Sequence, residues 1–171
     1  MSDPYSSGPY PPQPYAHAYG TTWGGAPAYV TDRREVDSAV VMANELPGSA
    51  ILIGGNPGAG KSTLLLQTMC GLAERMKTLY VTGEESLQQV AMRASRLGLP
   101  TDKLRMLSET SVEQICLIAQ QEQPQIMVID SIQVMHVADV QSSPGSVSQV
   151  RESAALLTRY AKQNHVAIFM V

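Results

Sequence analysis

The amino-acid sequence predicts an α/β fold in which helices flank a mostly parallel β-sheet. From residue 49 onward, short apolar runs rich in β-branched residues alternate with longer segments of helical periodicity. Such alternation is typical of parallel sheets joined by right-handed crossovers. With 171 residues, the chain is long enough to form one domain with a sizeable core. The carboxyl ends of the strands are the expected location of active groups.

Apolar runs indicate the strands, and capping or turn residues indicate where the helices begin and end. Ser86 and Ser111 are predicted N-caps, and Gly98 follows the helix that Ser86 begins. The predicted strands are residues 50–54, 78–82, 104–107, 126–129 and 166–171. The predicted helices are residues 61–76, 86–97, 112–122 and 146–164.

A phosphate-binding loop is predicted between the first strand and the first helix. The stretch Gly55–Ser62 matches the pattern G-x-x-x-x-G-K-[ST] at every fixed position, in the strand–turn–helix context that the motif needs. Backbone N–H groups and the helix N-terminus would surround a polyphosphate. Lys61 would reach the β- and γ-phosphates, and the Ser62 hydroxyl would bind Mg²⁺. The predicted nucleotide-binding residues are Gly55, Asn56, Pro57, Gly58, Ala59, Gly60, Lys61, Ser62 and Thr63.

Acidic residues follow two of the predicted strands. Asp130 ends an apolar strand and is predicted to hold Mg²⁺, although an Asp that caps a turn is the alternative. Glu84 and Glu85 follow another strand, and Glu84 is the predicted general base that orients an attacking water. The adjacent Glu85 would support Glu84 or cap the next helix. Arg93 and Arg96 lie on one helix turn and are expected to form a solvated face, with an arginine finger as the alternative.

Composition excludes several other classes of protein. Residues 46–171 carry ten basic and ten acidic residues, so no strong basic patch indicates nucleic-acid binding. Cys70 and Cys116 are far apart and are expected to be free thiols, and the lack of a C-x-x-C pair predicts no zinc site. No apolar stretch reaches about 18 residues, and the N-terminus lacks the order of a signal peptide. A soluble cytoplasmic protein without a membrane partner is expected.

The N-terminal segment differs from the rest in composition. Residues 1–45 form a predicted Pro-, Tyr- and Gly-rich tail, disordered over residues 1–29 and with a possible short helix over residues 31–46. The tail could instead be a ligand for an aromatic-lined groove. The folded domain is predicted to occupy residues 46–171.

Several motifs occur in an order that resembles a known family. They are Pro47–Ser49, Gly54–Thr63, Tyr80–Ser86, Val128–Gln133 and the loop Asp139–Gln149. Together they resemble the ATPase core of the bacterial RadA (Sms) family, which belongs to the RecA superfamily. The resemblance covers about residues 46–171.

This resemblance implies a RecA-like fold and an ATP-dependent motor with Mg²⁺ as its cofactor. The family acts in recombinational DNA repair, on single-stranded DNA or branched intermediates, as a homo-hexameric ring. Residues 133–149 are similar in position to the first DNA-contacting loop of RecA-like proteins. The implied DNA contacts are Gln141, Ser142, Ser143 and Ser146. The alternative is an ordinary connection, because the loop has no Lys or Arg.

The chain also departs from the family pattern. A four-cysteine zinc module, the family's Lys-Asn-Arg-Phe-Gly motif and its Lon-like domain are absent, and the chain stops at Val171. The resemblance places strand 166–171 centrally in the sheet. We therefore expect a C-terminally truncated domain with impaired hydrolysis, translocation and ring assembly. The alternatives are a non-catalytic nucleotide-binding remnant with an interaction tail, or another RecA-superfamily ATPase such as a replicative helicase or a clock ATPase.

Overall fold

The computed structural model describes residues 28–30 and 47–171. These residues form six strands, four α-helices and one short 3₁₀ turn. In chain order they are β1 (Ala28–Val30), β2 (Ala50–Ile53), α1 (Lys61–Ala73), β3 (Thr78–Thr82), α2 (Leu87–Arg96), β4 (Arg105–Ser108), α3 (Val112–Glu122), β5 (Ile126–Asp130), the 3₁₀ turn (Ile132–Val134), α4 (Val147–Asn164) and β6 (Ala167–Met170).

The strands form one sheet in the order β1-β2-β6-β5-β3-β4, and every pairing in it is parallel. Strand β6 pairs with β2 on one side and with β5 on the other, so the last strand of the chain is central in the sheet. Every residue of β3, β5 and β6 is buried. The predicted α/β, RecA-like fold is confirmed.

Helices cover both faces of the sheet. Buried side chains of α1 and α2, such as Leu66 and Val90, pack with Tyr80 and Phe169 on one face. Buried side chains of α3 and α4 pack with the opposite face of the same strands. This arrangement explains why the strands have nearly continuous apolar sequences, since both of their faces are covered. Within the described part of the chain, no helix is long and apolar enough to span a membrane.

The predicted strands and helices agree with the structure to within one residue at each end, except at the end of α1 and at strand β1. Helix α1 ends at Ala73 instead of residue 76. The Lys77 N–H, which a continued helix would donate to the Ala73 carbonyl, instead donates to Oε1 of Gln125. Strand β1 lies within the segment predicted as a tail and pairs with β2. The predicted disorder over residues 1–29 is therefore wrong at residues 28 and 29, which belong to this strand. The rest of that tail, including the possible helix at 31–46, lies outside the described residues.

The ends of β3 and β5 are joined tightly at the carboxyl edge of the sheet. The Gly83 N–H donates to the Asp130 carbonyl over 2.8 Å. A Cβ atom at Gly83 would lie 2.5 Å from Cγ2 of Val134 and 2.9 Å from Cε of Met135. Gly83 therefore lets the segment after β3 lie directly against the segment after β5.

Replacing Gly83 with alanine should destabilise the fold by about 1–3 kcal/mol, because the new methyl group overpacks this junction. Thermal or denaturant unfolding of the Gly83→Ala variant measures the change. Gly71→Ala is the matched control, because Gly71 is an exposed residue of α1 where a new methyl group would meet no other part of the protein within 4 Å. That control should stabilise the helix by roughly 0.5–1 kcal/mol. Equal stability of both variants would contradict the tight junction.

Candidate functional site

The loop between β2 and α1 has the backbone that the phosphate-loop motif predicts. Gly58 and Gly60 have φ values of 78° and 85°, in the left-handed region that favours glycine. Gly60 is the N-cap of α1 and accepts a hydrogen bond from the Leu64 N–H. Residues 55–60 are exposed, and Lys61, Ser62 and Thr63 form the first turn of the helix. The loop therefore presents backbone N–H groups and a helix N-terminus to solvent, as an anion site requires.

The Lys61 side chain folds back over this loop. Its ammonium donates to the carbonyls of Gly55 and Asn56, over 2.9 and 3.0 Å. These contacts hold a positive charge above the loop, where a phosphate would be bound. An anion bound there could accept hydrogen bonds from the ammonium in place of the two carbonyls, while the helix stays where it is.

Ser62 and Asp130 come together although they are 68 residues apart in sequence. The Ser62 hydroxyl donates to Oδ1 of Asp130 over 2.9 Å, which joins the start of α1 to the end of β5. A hydroxyl and a carboxylate are hard oxygen ligands of the kind that Mg²⁺ takes, and this ion usually keeps water and phosphate oxygens as its other ligands. The donor set therefore fits the predicted Mg²⁺ site. No cluster of three or more His, Cys, Asp or Glu residues that could hold a metal occurs within residues 47–171.

The second oxygen of the Asp130 carboxylate is bound by a buried tyrosine. The Tyr80 hydroxyl donates to Oδ2 of Asp130, and the tyrosine is fully buried. Burial raises the pKa of Tyr80 well above its ordinary value, and the Asp130 charge and its hydrogen bond act in the same direction. The Tyr80 hydroxyl therefore keeps its proton near neutral pH and donates a hydrogen bond to Asp130.

Arg93 does not belong to a solvated face, contrary to the prediction. Its guanidinium lies 3.4 Å from the Tyr80 hydroxyl oxygen and 3.3 Å from Oε1 of Glu85. The side chain is only 22% exposed. The helix α2 turns this residue toward the sheet, whereas Arg96 is exposed as expected. Sequence spacing alone could not distinguish the two, because residues three apart lie close together on the same side of a helix.

The two adjacent glutamates have different surroundings. Glu85 pairs with Arg93, and both its N–H and its carbonyl bond to the Thr82 hydroxyl. Glu84 is exposed and accepts a hydrogen bond from the hydroxyl of Ser131, the residue after Asp130. Glu84 is therefore the more exposed of the two glutamates at the carboxyl edge of the sheet.

Gln149, a buried residue of α4, organises the loop predicted to contact DNA. Its side-chain amide accepts from the Val137 N–H and donates to the carbonyls of Val137, Val140 and Ser142, over 2.9 to 3.3 Å. Sequence reasoning missed this role, although a Gln in the first turn of an amphipathic helix could have indicated it. One buried side chain thus makes four hydrogen bonds to the backbone of the loop.

The four predicted DNA-contacting residues have two kinds of environment. Ser142 and Ser146 bond to each other over 2.9 Å, and Ser146 also caps α4, so both hydroxyls serve the loop itself. Gln141 and Ser143 are exposed. Of the four predicted contacts, the latter two are therefore the ones with exposed side chains.

A separate cavity of about 550 Å³ lies at the amino ends of β3 and β4, beside Thr78 and Arg105. It lies at the opposite ends of these strands from Gly83 and the phosphate-loop side. Two of its basic residues form ion pairs with acidic neighbours, Lys103 with Glu74 and Arg105 with Glu122. Nothing in this cavity joins the chemistry at the carboxyl edge.

A family model described as an AAA domain matches residues 38–171, which is most of the chain and includes the phosphate loop and strands β2 to β6. The chain belongs to the AAA domain family. The match begins eight residues before the domain boundary that was predicted at residue 46.

Cys70 and Cys116 are both free cysteines, as the sequence predicts.

The AAA domain is also similar to curated proteins, which confirms the resemblance to RadA. It is 75% identical over 145 residues to the DNA repair protein RadA of Escherichia coli and 59% identical over 145 residues to that of Pseudomonas aeruginosa. These alignments cover 85% of this chain and 31% and 32% of the relatives. The DNA repair protein RadA of Bacillus subtilis is 49% identical over 133 residues, covering 77% of this chain and 29% of that protein. The chain thus spans about a third of the length of these relatives.

Proposed function

We propose that this chain is the ATP-binding and ATP-hydrolysing domain of a RadA-type DNA repair protein. The observation that carries the proposal is the hydrogen bond between Ser62 and Asp130. It joins the hydroxyl of a phosphate loop to the carboxylate at the end of a neighbouring strand, which is the pairing that Mg²⁺-dependent phosphoryl transfer uses. The similarity to proteins named DNA repair protein RadA supports the biological role.

Nucleotide binding would depend on the loop and on Lys61. The N–H groups of residues 55–63 would surround the phosphates of ATP, and Lys61 would move its hydrogen bonds from the Gly55 and Asn56 carbonyls to phosphate oxygens. When bound, Mg²⁺ would neutralise charge on the phosphates, and Ser62 and Asp130 are the residues that would hold it. These contacts favour a triphosphate over an uncharged ligand.

Hydrolysis would need a base that faces the terminal phosphate. Glu84 is exposed at the carboxyl edge and is anchored by Ser131, next to Asp130. It can accept a proton from an attacking water while the Ser131 hydroxyl keeps it oriented. Glu85 is committed to its ion pair with Arg93, so Glu84 is the better candidate.

Binding is tested by thermal unfolding of the chain with and without Mg²⁺-ATP, beside the variant Lys61→Ala. A ligand that binds only the folded state at ~100 times its Kd should add about 2.7 kcal/mol of stability. We expect the wild-type chain to be stabilised and Lys61→Ala to lose most of that shift. Lys77→Ala, which removes another exposed lysine, is the control and should keep the shift. A wild-type chain that Mg²⁺-ATP does not stabilise would contradict the proposal.

Hydrolysis is tested with the variant Glu84→Gln. Removing the general base should lower kcat by roughly 10²–10⁴-fold, while ATP-induced stabilisation is kept. Phosphate release measured at saturating ATP gives the comparison. Glu74→Gln is the control, because Glu74 is an exposed acidic residue at the C-terminal end of α1, far from the phosphate loop where that helix begins. Stabilisation by ATP in a wild-type chain that releases no phosphate would favour the alternative, a non-catalytic nucleotide-binding remnant.

DNA is the partner that the loop at residues 133–149 would serve, and the assembly would be a homo-hexameric ring. The exposed Gln141 and Ser143 are the proposed contacts to single-stranded DNA, and the Gln149 hydrogen bonds would preorganise the loop for them. The loop has no Lys or Arg, so these contacts would be polar. A contact of this kind releases few counterions.

Binding of fluorescent single-stranded DNA in the presence of Mg²⁺ and a non-hydrolysable ATP analogue tests this contact. The double variant Gln141→Ala, Ser143→Ala should weaken binding at least several-fold without changing the slope of log K against log[salt], because no ion pair is removed. Gln121→Ala, at an exposed glutamine of α3, should bind as the wild type does. Unchanged binding in the double variant would assign the loop to an ordinary connection.

A further inference from the structure

The carboxylate of Asp130 is held at both of its oxygen atoms. Ser62 donates to Oδ1 and Tyr80 donates to Oδ2. Asp130 is 9% exposed, and Tyr80 is fully buried between the sheet and the helices α1 and α2. A carboxylate with a single partner could rotate about its χ2 torsion, which is a broad, two-fold torsion. Two donors on opposite oxygens define its plane.

The direction of the hydrogen bonds follows from the chemistry of the groups. A guanidinium can only donate, and an ionised carboxylate can only accept. Between Arg93 and Asp130, the Tyr80 oxygen must therefore accept from the arginine and give its own proton to the carboxylate.

Arg93 is in turn held by the segment that carries the candidate base. Its second contact is the ion pair with Glu85, which lies next to Glu84. The backbone of Glu85 is bound at both its N–H and its carbonyl by the Thr82 hydroxyl. A continuous set of contacts thus runs from Glu85 through Arg93 and Tyr80 to Asp130.

We propose that Tyr80 and Arg93 are positioning residues, which orient the Asp130 carboxylate for Mg²⁺ and connect it to the Glu84–Glu85 segment. The proposal rests on the proposed function, because it concerns the same site. Asp130 would hold Mg²⁺ together with Ser62, which donates to Oδ1, and Tyr80 would keep the carboxylate oriented through its hydrogen bond to Oδ2. Neither Tyr80 nor Arg93 touches the nucleotide in this scheme.

The consequence is a specific effect on metal affinity. Groups that orient a metal ligand typically change metal affinity by 10–100-fold when they are removed. Tyr80→Phe deletes only the hydroxyl and keeps the ring that fills the core. We expect the Mg²⁺ concentration needed for half of the nucleotide-dependent stabilisation to rise about 10-fold. Arg93→Gln should raise it in the same direction by a smaller factor, since it acts through Tyr80.

The experiment is thermal unfolding of the full chain with a saturating non-hydrolysable ATP analogue while Mg²⁺ is titrated from an EDTA-buffered start. Affinity for the analogue in EDTA should be unchanged in Tyr80→Phe, since the phosphate loop is intact. Tyr160→Phe is the matched control, because Tyr160 is also a mostly buried tyrosine but packs in the core on the other face of the sheet. It should leave the Mg²⁺ midpoint unchanged.

The outcomes separate the two proposals. A wild-type chain with no Mg²⁺-dependent stabilisation would overturn the proposed function and this proposal with it. A wild-type chain that responds to Mg²⁺, with Tyr80→Phe at the wild-type midpoint, would overturn only the positioning role. An equal rise of the midpoint in Tyr80→Phe and Tyr160→Phe would also overturn it, since a general loss of core packing would then explain both. A rise in Tyr80→Phe alone, with unchanged binding in EDTA, would support the proposal.

Discussion

The arrangement of the site depends on one buried carboxylate, that of Asp130. A charge at this depth is costly unless it is hydrogen-bonded, and here Ser62 and Tyr80 satisfy one oxygen each. Each partner belongs to a different element, α1 and β3, so the carboxylate can be satisfied only when the two elements are in their native positions. Stabilisation of the buried Asp130 charge therefore requires that Ser62, and with it the start of α1 after the phosphate loop, is in its native position.

The sheet order explains how these elements meet. Strand β5 lies between β6 and β3, and the register pairs Thr82 with Asp130 at the carboxyl edge. Tyr80 lies two residues before Thr82, so both side chains point to the face that α1 and α2 cover. Gly83 allows the next segment to approach β5, and Glu84 then lies against Ser131. Parallel pairing of two buried strands therefore brings the metal-binding carboxylate and the candidate base to one edge.

Much of the fold and part of the site could be predicted before the structure. The strand and helix pattern follows from apolar periodicity and from caps such as Ser86, which forms a full capping box with Gln89. The phosphate loop is local in sequence, so its shape follows from its glycines. The role of Arg93 and the strand at Ala28–Val30 were not predicted. Both depend on what lies opposite them in space, which periodicity cannot report.

The phosphate loop, the succession of strands and helices from β2 onward, and the acidic residues at the strand ends could all be read from the amino-acid sequence, because each is a pattern among neighbours in the chain. Three contacts depend instead on the folded arrangement. Ser62 and Tyr80 each donate to one oxygen of Asp130, and Glu85 rather than Glu84 pairs with Arg93. Those contacts join groups that helix packing and strand register bring together. They are set by the burial of a core on both faces of the sheet, and no local motif encodes that packing.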